Sequence, residues 1–337
     1  MIDVSSARVS KLIVHRIGNK IRDEGYTLSQ NVVNRSSTLD DLILRNYLAP
    51  VLRQGEAYDL THESDIALNT VHHFANKIFA DSKNFKSHSQ NIAKHLYSAS
   101  IHPNIGGGEF IVILFEDIRT DDGPERALGL FRIEGKNDYL DIEDENGSLQ
   151  IVERSGISLD KIQKGAVVIS GGVKVFVIDS LGQKTKYWLE NFLKAVPAET
   201  PQACAKAAGA FLKSLSTQVD TPERAFAFGQ QVQNSISENS SLTIADIKEI
   251  SSTYIAEEDM ERIFSGIKGR TGLDITDDIE LDTKQLAKYA RDVMTKARIA
   301  EGINLIISNQ KARVSAIDVR KTKTGLRATI DIQLTGE

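Results

Sequence analysis

The first hundred residues show one alternating run of apolar positions and then several runs with helical spacing. Residues 9–17 alternate and predict a strand. Apolar residues three and four positions apart predict helices over 39–52 and 64–80, and a weaker helix over 91–99. The chain therefore opens with a strand followed by a group of helices.

Between residues 110 and 178 the pattern changes to short apolar or alternating runs separated by Gly, Asn and Asp. Such runs predict a meander of strands over 110–115, 127–133, 139–142, 149–152, 166–170 and 173–178. A predicted helix over 186–196 follows, and then Pro197 and Pro201. We place a domain boundary at these prolines, which gives domains over 1–197 and 198–337.

The second domain begins with helical periodicity and ends with alternation. Helices are predicted over 202–214, from 222, over 242–255, over 257–267 and from about 283. A strand over 303–308 and a hairpin of 314–319 with 326–334 close the chain. The predicted fold class is α+β: a strand-rich N-terminal domain with helices, then a helical C-terminal domain that ends in a small antiparallel sheet.

The composition is that of an ordinary globular protein. Apolar residues make up 41% of the chain, which is enough for a sizeable core. The longest wholly apolar run, 110–115, is far shorter than the roughly 20 residues of a membrane span. Residues 1–5 lack the features of a signal peptide, and the single cysteine, Cys204, has no partner for an internal disulfide. We therefore expect a cytoplasmic protein with no membrane contact.

The charge is distributed very unevenly. A net charge of −5 argues against nucleic acid when only the total is considered, but binding depends on the local field. The window 284–327 has eleven bases and three acids, so it carries +8 and the rest of the chain carries −13. The bases are Lys284, Lys288, Arg291, Lys296, Arg298, Lys311, Arg313, Arg320, Lys321, Lys323 and Arg327.

This basic window is the candidate DNA-binding site. Helical spacing places four of the bases on one stripe and the apolar residues on the opposite side; the four are Lys284, Lys288, Arg291 and Arg298. The tip of the hairpin adds Arg320, Lys321 and Lys323. Tyr289 is the only aromatic residue in the window, which favours contact with a duplex backbone over stacking on single-stranded bases. A merely solvated face is the alternative interpretation, since exposed helices are often rich in lysine.

Glycines and histidines offer only weak signals for chemistry. Gly106, Gly107 and Gly108 precede a strand, whereas a phosphate loop follows one, so a tight turn is favoured. The segment 59–65 contains Asp59, His62, Glu63 and Asp65, which could bind a metal or cap a helix start; we favour the cap.

The remaining candidates for catalysis are a cysteine and a group of acids. Cys204 lies in an alanine-rich helix, where it resembles a small core residue more than a nucleophile. The acids of 274–282 could be taken for a metal-dependent nuclease site, but they lack a dispersed partner and favour a solvated loop. The sequence thus predicts no catalytic residue, no metal site and no cofactor.

A series of segments in a fixed order gives the chain a family resemblance. With a mass of 37.2 kDa, it resembles the bacterial 37 kDa nucleoid-associated protein family. The segments are the N-terminal strand with His15, 25–29, 58–64, 107–115, 139–142, 166–169, 175–178, 187–193 and 286–290.

The resemblance implies a bacterial protein of the nucleoid that binds DNA with little sequence preference, and the scarcity of aromatic residues in the basic window favours double-stranded DNA. It also implies contact with type II topoisomerases, and it supplies no catalytic residues. Our leading hypothesis is DNA binding through the C-terminal basic surface. The alternative is a protein–protein adaptor of DNA enzymes such as type II topoisomerases, with the acidic surface as its docking face, and a nuclease ranks third. The oligomeric state is left open.

Overall fold

The chain divides into two compact units, 1–198 and 199–337. The computed structural model describes residues 2–121, 123–159, 162–179, 187–300, 303–306 and 312–334. A large antiparallel sheet with helices forms the first unit, and helices with small antiparallel sheets form the second. The predicted α+β class is therefore confirmed. A boundary between independently folding domains at residue 197 stays a prediction.

Within its described residues, unit 1 contains ten strands. They are β1 (Arg8–Ile17), β2 (Tyr26–Thr27), β3 (Glu56–Leu60), β4 (Gly108–Thr120), β5 (Gly123–Ile133), β6 (Asn137–Glu145), β7 (Ser148–Gly156), β8 (Lys164–Ile169), β9 (Lys174–Asp179) and β10 (Ala195–Pro197). Eight of them form one sheet in the order β10-β3-β9-β8-β5-β4-β1-β2, with antiparallel pairing throughout.

Helices cover both faces of this sheet. One face packs against α3 (Thr70–Ala80), α4 (Phe85–Ala99) and a π-helical segment, Tyr187–Leu193. The other face packs against α1 (Ser37–Ile43), α2 (Ala49–Gln54) and the π-helical turn Leu44–Leu48 between them. Because both faces are buried, β4 is apolar without a break from Phe110 to Phe115.

The predicted helix over 64–80 is wrong in its first part. Asp65 caps a short 3-10 turn, Ile66–Leu68, by accepting a hydrogen bond from the backbone N–H of Ala67 at 2.8 Å. α3 starts after Asn69, whose side chain accepts from the N–H of His72 at 3.0 Å. Two successive caps divide a stretch that periodicity alone presents as one helix.

Two further predictions for unit 1 are corrected. The predicted helix over 186–196 ends at Leu193, because Ala195–Pro197 pairs with β3 as an edge strand. The predicted meander is not one sheet, since β6 and β7 pair only with each other among the described strands.

Unit 2 is built around helices. They are α5 (Pro201–Ser216), α6 (Pro222–Glu238), α7 (Ile244–Ser252), α8 (Glu257–Thr271) and α9 (Thr283–Thr295). Their common core includes Phe211, Phe228, Phe264 and Leu286. Its described strands form three antiparallel pairs: β11 (Ser241–Thr243) with β12 (Glu280–Asp282), β13 (Lys296–Ala300) with β14 (Ile303–Ile306), and β15 (Ala312–Thr322) with β16 (Gly325–Leu334).

Candidate nucleic-acid interface

A capping side chain stabilises the start of helix α9, and the burial of an apolar face determines its orientation. The side chain of Asp282 accepts a hydrogen bond from the N–H of Gln285 at 2.8 Å and so caps the first turn. Leu286, Ala290 and Val293 are buried in the core of unit 2. Burial of these three positions fixes which side of α9 faces outward.

Two glycines bring the neighbouring helices unusually close to α9. A Cβ atom at Gly209 of α5 would lie 2.4 Å from the Cβ of Tyr289, and one at Gly229 of α6 would lie 2.5 Å from the carbonyl oxygen of Val293. Any larger residue at either position would force the helices apart. α9 is therefore seated against two helices and presents a fixed outer side.

That outer side carries three exposed cations, which we call the basic face: Lys284, Lys288 and Arg291. Their spacing of four and three residues aligns them on one stripe about 10 Å long. None of the three forms an ion pair with any residue that the structure describes. The basic face thus holds positive charge that the protein itself does not neutralise.

The prediction that Arg298 lies on the same helical stripe as Lys284, Lys288 and Arg291 is wrong. α9 ends at Thr295, and Lys296 and Arg298 belong to strand β13, where Arg298 is opposite Asn304. The helix stops because the backbone of Lys296 is extended and pairs with β14. Arg298 is exposed, but strand geometry rather than helix geometry sets its direction.

Lys296 and Arg298 instead line a cleft of about 760 Å³ in unit 2. Lys213 of α5 and Thr221, the N-cap of α6, also line this cleft. Asp292 lies between the lysines, 2.7 Å from Lys296 Nζ and 3.7 Å from Lys213 Nζ. The hydrogen bond from Lys296 is the main reason that the pKa of Asp292 is lowered, so this carboxylate stays charged and partly neutralises the cleft.

The hairpin β15–β16 carries the other predicted bases. Arg320 and Arg327 are directly opposite each other across the two strands, and Lys323 lies in the turn. Arg320 pairs with Asp318 at 2.7 Å, whereas Lys321, Lys323 and Arg327 form no ion pair with described residues. Like charges opposite each other are unfavourable in an antiparallel pair, and a bound anion would relieve that repulsion.

This hairpin is held on helix α6. Val314 and Ile317 pack with Phe226 in a small buried cluster. Gln230 Nε2 donates to the carbonyl of Val314 at 2.8 Å, and the backbone N–H of Val319 donates to Glu223 Oε1 at 2.6 Å. The same helix, α6, packs against α9, so both basic elements rest on one support.

The side chains of two predicted site residues lie outside the described part of the chain. Lys311 is not among the described residues, and for Arg313 only the backbone pairing with Gln333 is described. Conversely, Lys213 was missed by the sequence prediction. It lies outside the basic window, and it reaches the cleft because α5 packs on α9.

Several of the candidate residues for metal binding or catalysis have local structural roles. Asp282 caps α9, and Lys248 binds Asp277 at 2.8 Å. Cys204 is buried, and burial raises the pKa of its thiol. Gly108 opens β4, where its carbonyl accepts from Arg132 at 2.9 Å. Over the described ranges, no three His, Cys, Asp or Glu side chains are placed to hold a metal ion.

No helix in the described part of the chain combines the length and apolar character that crossing a membrane requires.

In a comparison with known protein families, the chain matches a family of nucleoid-associated proteins over most of its length. The family is described as nucleoid-associated protein YejK, the match covers residues 13–311, and the chain belongs to this family. Among curated proteins, no significant match was found. The matched range includes the basic face and the cleft, but it ends before Arg320, Lys321, Lys323 and Arg327.

Proposed function

We propose that the chain binds double-stranded DNA with little sequence preference, through the basic face of α9, with the adjoining cleft and the tip of β15–β16 as further contacts. The observation that carries this proposal is the basic face itself. Lys284, Lys288 and Arg291 are exposed, aligned and without ion-pair partners among the described residues, on a helix that is locked against two others. Membership of a nucleoid-associated family supports the same conclusion.

A duplex fits this surface better than a single strand. Stacking on unpaired bases requires exposed aromatic rings. Tyr289, the one aromatic residue of the basic window, lies on the α5 side of the helix, and its hydroxyl accepts a hydrogen bond from Gln202 at 3.3 Å. Lysine and arginine on a regular helix can follow phosphates, which carry no sequence information.

Binding rather than catalysis is the proposed activity. Three of the acids that resembled a nuclease site have structural partners: Asp282 caps α9, and Asp274 and Asp277 form ion pairs with Lys268 and Lys248. Cytoplasmic location at the nucleoid, and contact with type II topoisomerases, are proposals that rest on the family alone. Metal-dependent nicking of plasmid by pure protein would contradict a purely binding role.

Charge reversal on the basic face tests the DNA-binding proposal. The variant Lys284→Glu, Lys288→Glu and Arg291→Glu should fold normally, because all three side chains are exposed. Its affinity for duplex DNA should fall by about tenfold or more, and by a similar factor on unrelated sequences, since backbone contacts are lost. Fluorescence anisotropy with two labelled duplexes measures the effect.

Unit 1 offers a matched control with the same change in net charge. Lys20, Lys83 and Lys86 are exposed and form no ion pair with described residues. Reversing these three to Glu should weaken binding much less than reversing the basic face. Equal losses in the two variants would show that only total charge matters, and would contradict a localised site.

A further inference from the structure

The hairpin β6–β7 is an exposed feature that the proposed DNA binding leaves unused. Its strands pair with each other from Asn137 opposite Gly156 to Glu145 opposite Ser148, and with no other described strand. An isolated two-stranded hairpin is marginally stable at best in water, because it buries too little apolar surface. A partner that covers one of its faces would supply the missing burial.

One side of this hairpin, the apolar face, consists of Leu140, Ile142, Leu149 and Ile151. Side chains alternate along a strand, so Leu140 and Ile142 share a face, and the register adds Leu149 and Ile151 of β7 to it. These four side chains are 66–75% exposed. Four large aliphatic side chains in one exposed patch are the composition of an interaction surface rather than of an ordinary solvated strand.

The charged side chains that flank the apolar face are all carboxylates. By the same alternation, Asp138 and Asp144 flank it on β6 and Glu153 flanks it on β7. All three are exposed and form no ion pair with a described residue. The frame therefore places three uncompensated negative charges around an apolar centre.

The opposite face is partly neutralised within the hairpin, because one arginine lies among the carboxylates of Asp141, Glu143 and Glu145. Arg154 donates to Asp141 Oδ2 at 2.9 Å and also to Glu143 Oε1. The only base of the hairpin is thus used on the side that lacks the aliphatic cluster. The apolar face therefore combines the aliphatic cluster with carboxylates that no base of the hairpin neutralises, which suits a cationic partner with apolar side chains.

We propose that the apolar face docks a protein segment whose apolar side chains are flanked by lysine or arginine. Charge complementarity selects this occupant. A second copy packed through the same face would bring six carboxylates together, and DNA would meet the same repulsion. Apolar side chains of the partner cover the aliphatic centre, and its bases pair with Asp138, Asp144 and Glu153. This inference is independent of DNA binding by α9.

The test uses the full chain and a short fluorescein-labelled peptide in which lysine and valine alternate, with a serine-for-valine peptide of equal charge as reference. The valine peptide should bind about tenfold tighter than the serine peptide, because only valine covers the aliphatic centre. Leu140→Ser with Ile151→Ser should abolish that preference. Tyr139→Ser with Val152→Ser, on the opposite face, should leave it intact. Anisotropy titrations of the two peptides against the wild-type chain and the two variants measure all six combinations.

A second variant keeps the test valid if the serine substitutions unfold the hairpin. Asp138→Asn, Asp144→Asn and Glu153→Gln retain the apolar centre and should weaken binding of the valine peptide several-fold, with a flatter salt dependence. Equal binding of both peptides to the wild-type chain would overturn the proposal, because charge alone would explain it. So would sedimentation showing a dimer that Leu140→Ser with Ile151→Ser dissociates, since a second copy would then cover the face.

Discussion

Two long hairpins that form separate two-stranded sheets, β6–β7 and β15–β16, share an architecture and differ in charge and support. The hairpin β15–β16 of unit 2 has five bases and two acids and is held on α6 by Val314 and Ile317. The hairpin β6–β7 of unit 1 has one base and six acids and leaves its aliphatic residues exposed. A supported basic hairpin can meet a regular polyanion without rearrangement. An unsupported acidic hairpin still requires burial, which indicates a protein partner rather than a nucleic acid.

The largest expected difference between the hairpins is in local stability. Ile317→Ala removes a buried side chain of the cluster on α6 and should destabilise β15–β16 by about 2 kcal/mol or more. Ile142→Ala removes an exposed side chain and should change β6–β7 by no more than about 0.5 kcal/mol. Hydrogen exchange of the strand amides measures both. Equal effects would remove the distinction between a supported and an unsupported hairpin.

A second contrast concerns the stability of the two units at acid pH. All seven histidines lie within the first 102 residues and therefore in unit 1. His15 is buried, its Nε2 lies 3.2 Å from Ser89 Oγ, and burial lowers its pKa from 6.5 to about 4. The unfolded chain takes up the proton first as pH falls. The contribution of neutral His15 to the free energy of unfolding is therefore complete above pH 6.5 and is lost as pH falls towards 4. About 2 kcal/mol of this contribution is lost by pH 5.

Urea unfolding followed by the fluorescence of Trp188, the only tryptophan and a buried residue of unit 1, measures this loss at pH 7 and pH 5. His15→Gln should reduce the difference between the two pH values. Hydrogen exchange in unit 2 should change much less over the same range. A unit 1 whose stability is the same at both pH values would show that His15 is not held neutral by burial.

The smallest expected effect is on the salt dependence of DNA binding, and one arginine from each hairpin tests it. Arg327 has no ion-pair partner among the described residues, whereas Arg154 is bound by Asp141 and Glu143. Arg327→Gln should lower the slope of log affinity for DNA against log salt by about 0.9, the value for one phosphate contact. Arg154→Gln should leave affinity and slope unchanged. A result in which the two variants behave alike would remove the tip of β15–β16 from the proposed site.

Local signals in the sequence predicted much of the candidate site. The start of α9 was predictable because Asp282 is a strong cap and the apolar positions of the helix recur with its period. Its end was not, because no glycine or proline marks residue 296 and the helix stops through pairing of β13 with β14. The assignment of Arg298 to the helical stripe failed for that reason.

Long-range contacts explain the features of the site and the fold that could not be predicted from the sequence. Lys213 lines the cleft because Gly209 lets α5 approach Tyr289. No local pattern in the sequence predicts that the two helices come so close. Alternation identified β6 and β7 as strands, but it does not say which sheet a strand joins. Only the structure shows that they stand apart and expose Leu140 and Ile151.

The most direct test of the account is the salt dependence of DNA binding when the basic face is neutralised. For Lys284→Gln, Lys288→Gln and Arg291→Gln, the log–log salt slope should fall in magnitude by about 2.7, which corresponds to three lost phosphate contacts. Neutralising Lys20, Lys83 and Lys86 in the same way should leave the slope close to that of the unmodified chain. If the folded basic-face variant binds duplex DNA with unchanged affinity and slope, the face is only solvated and the central claim is wrong.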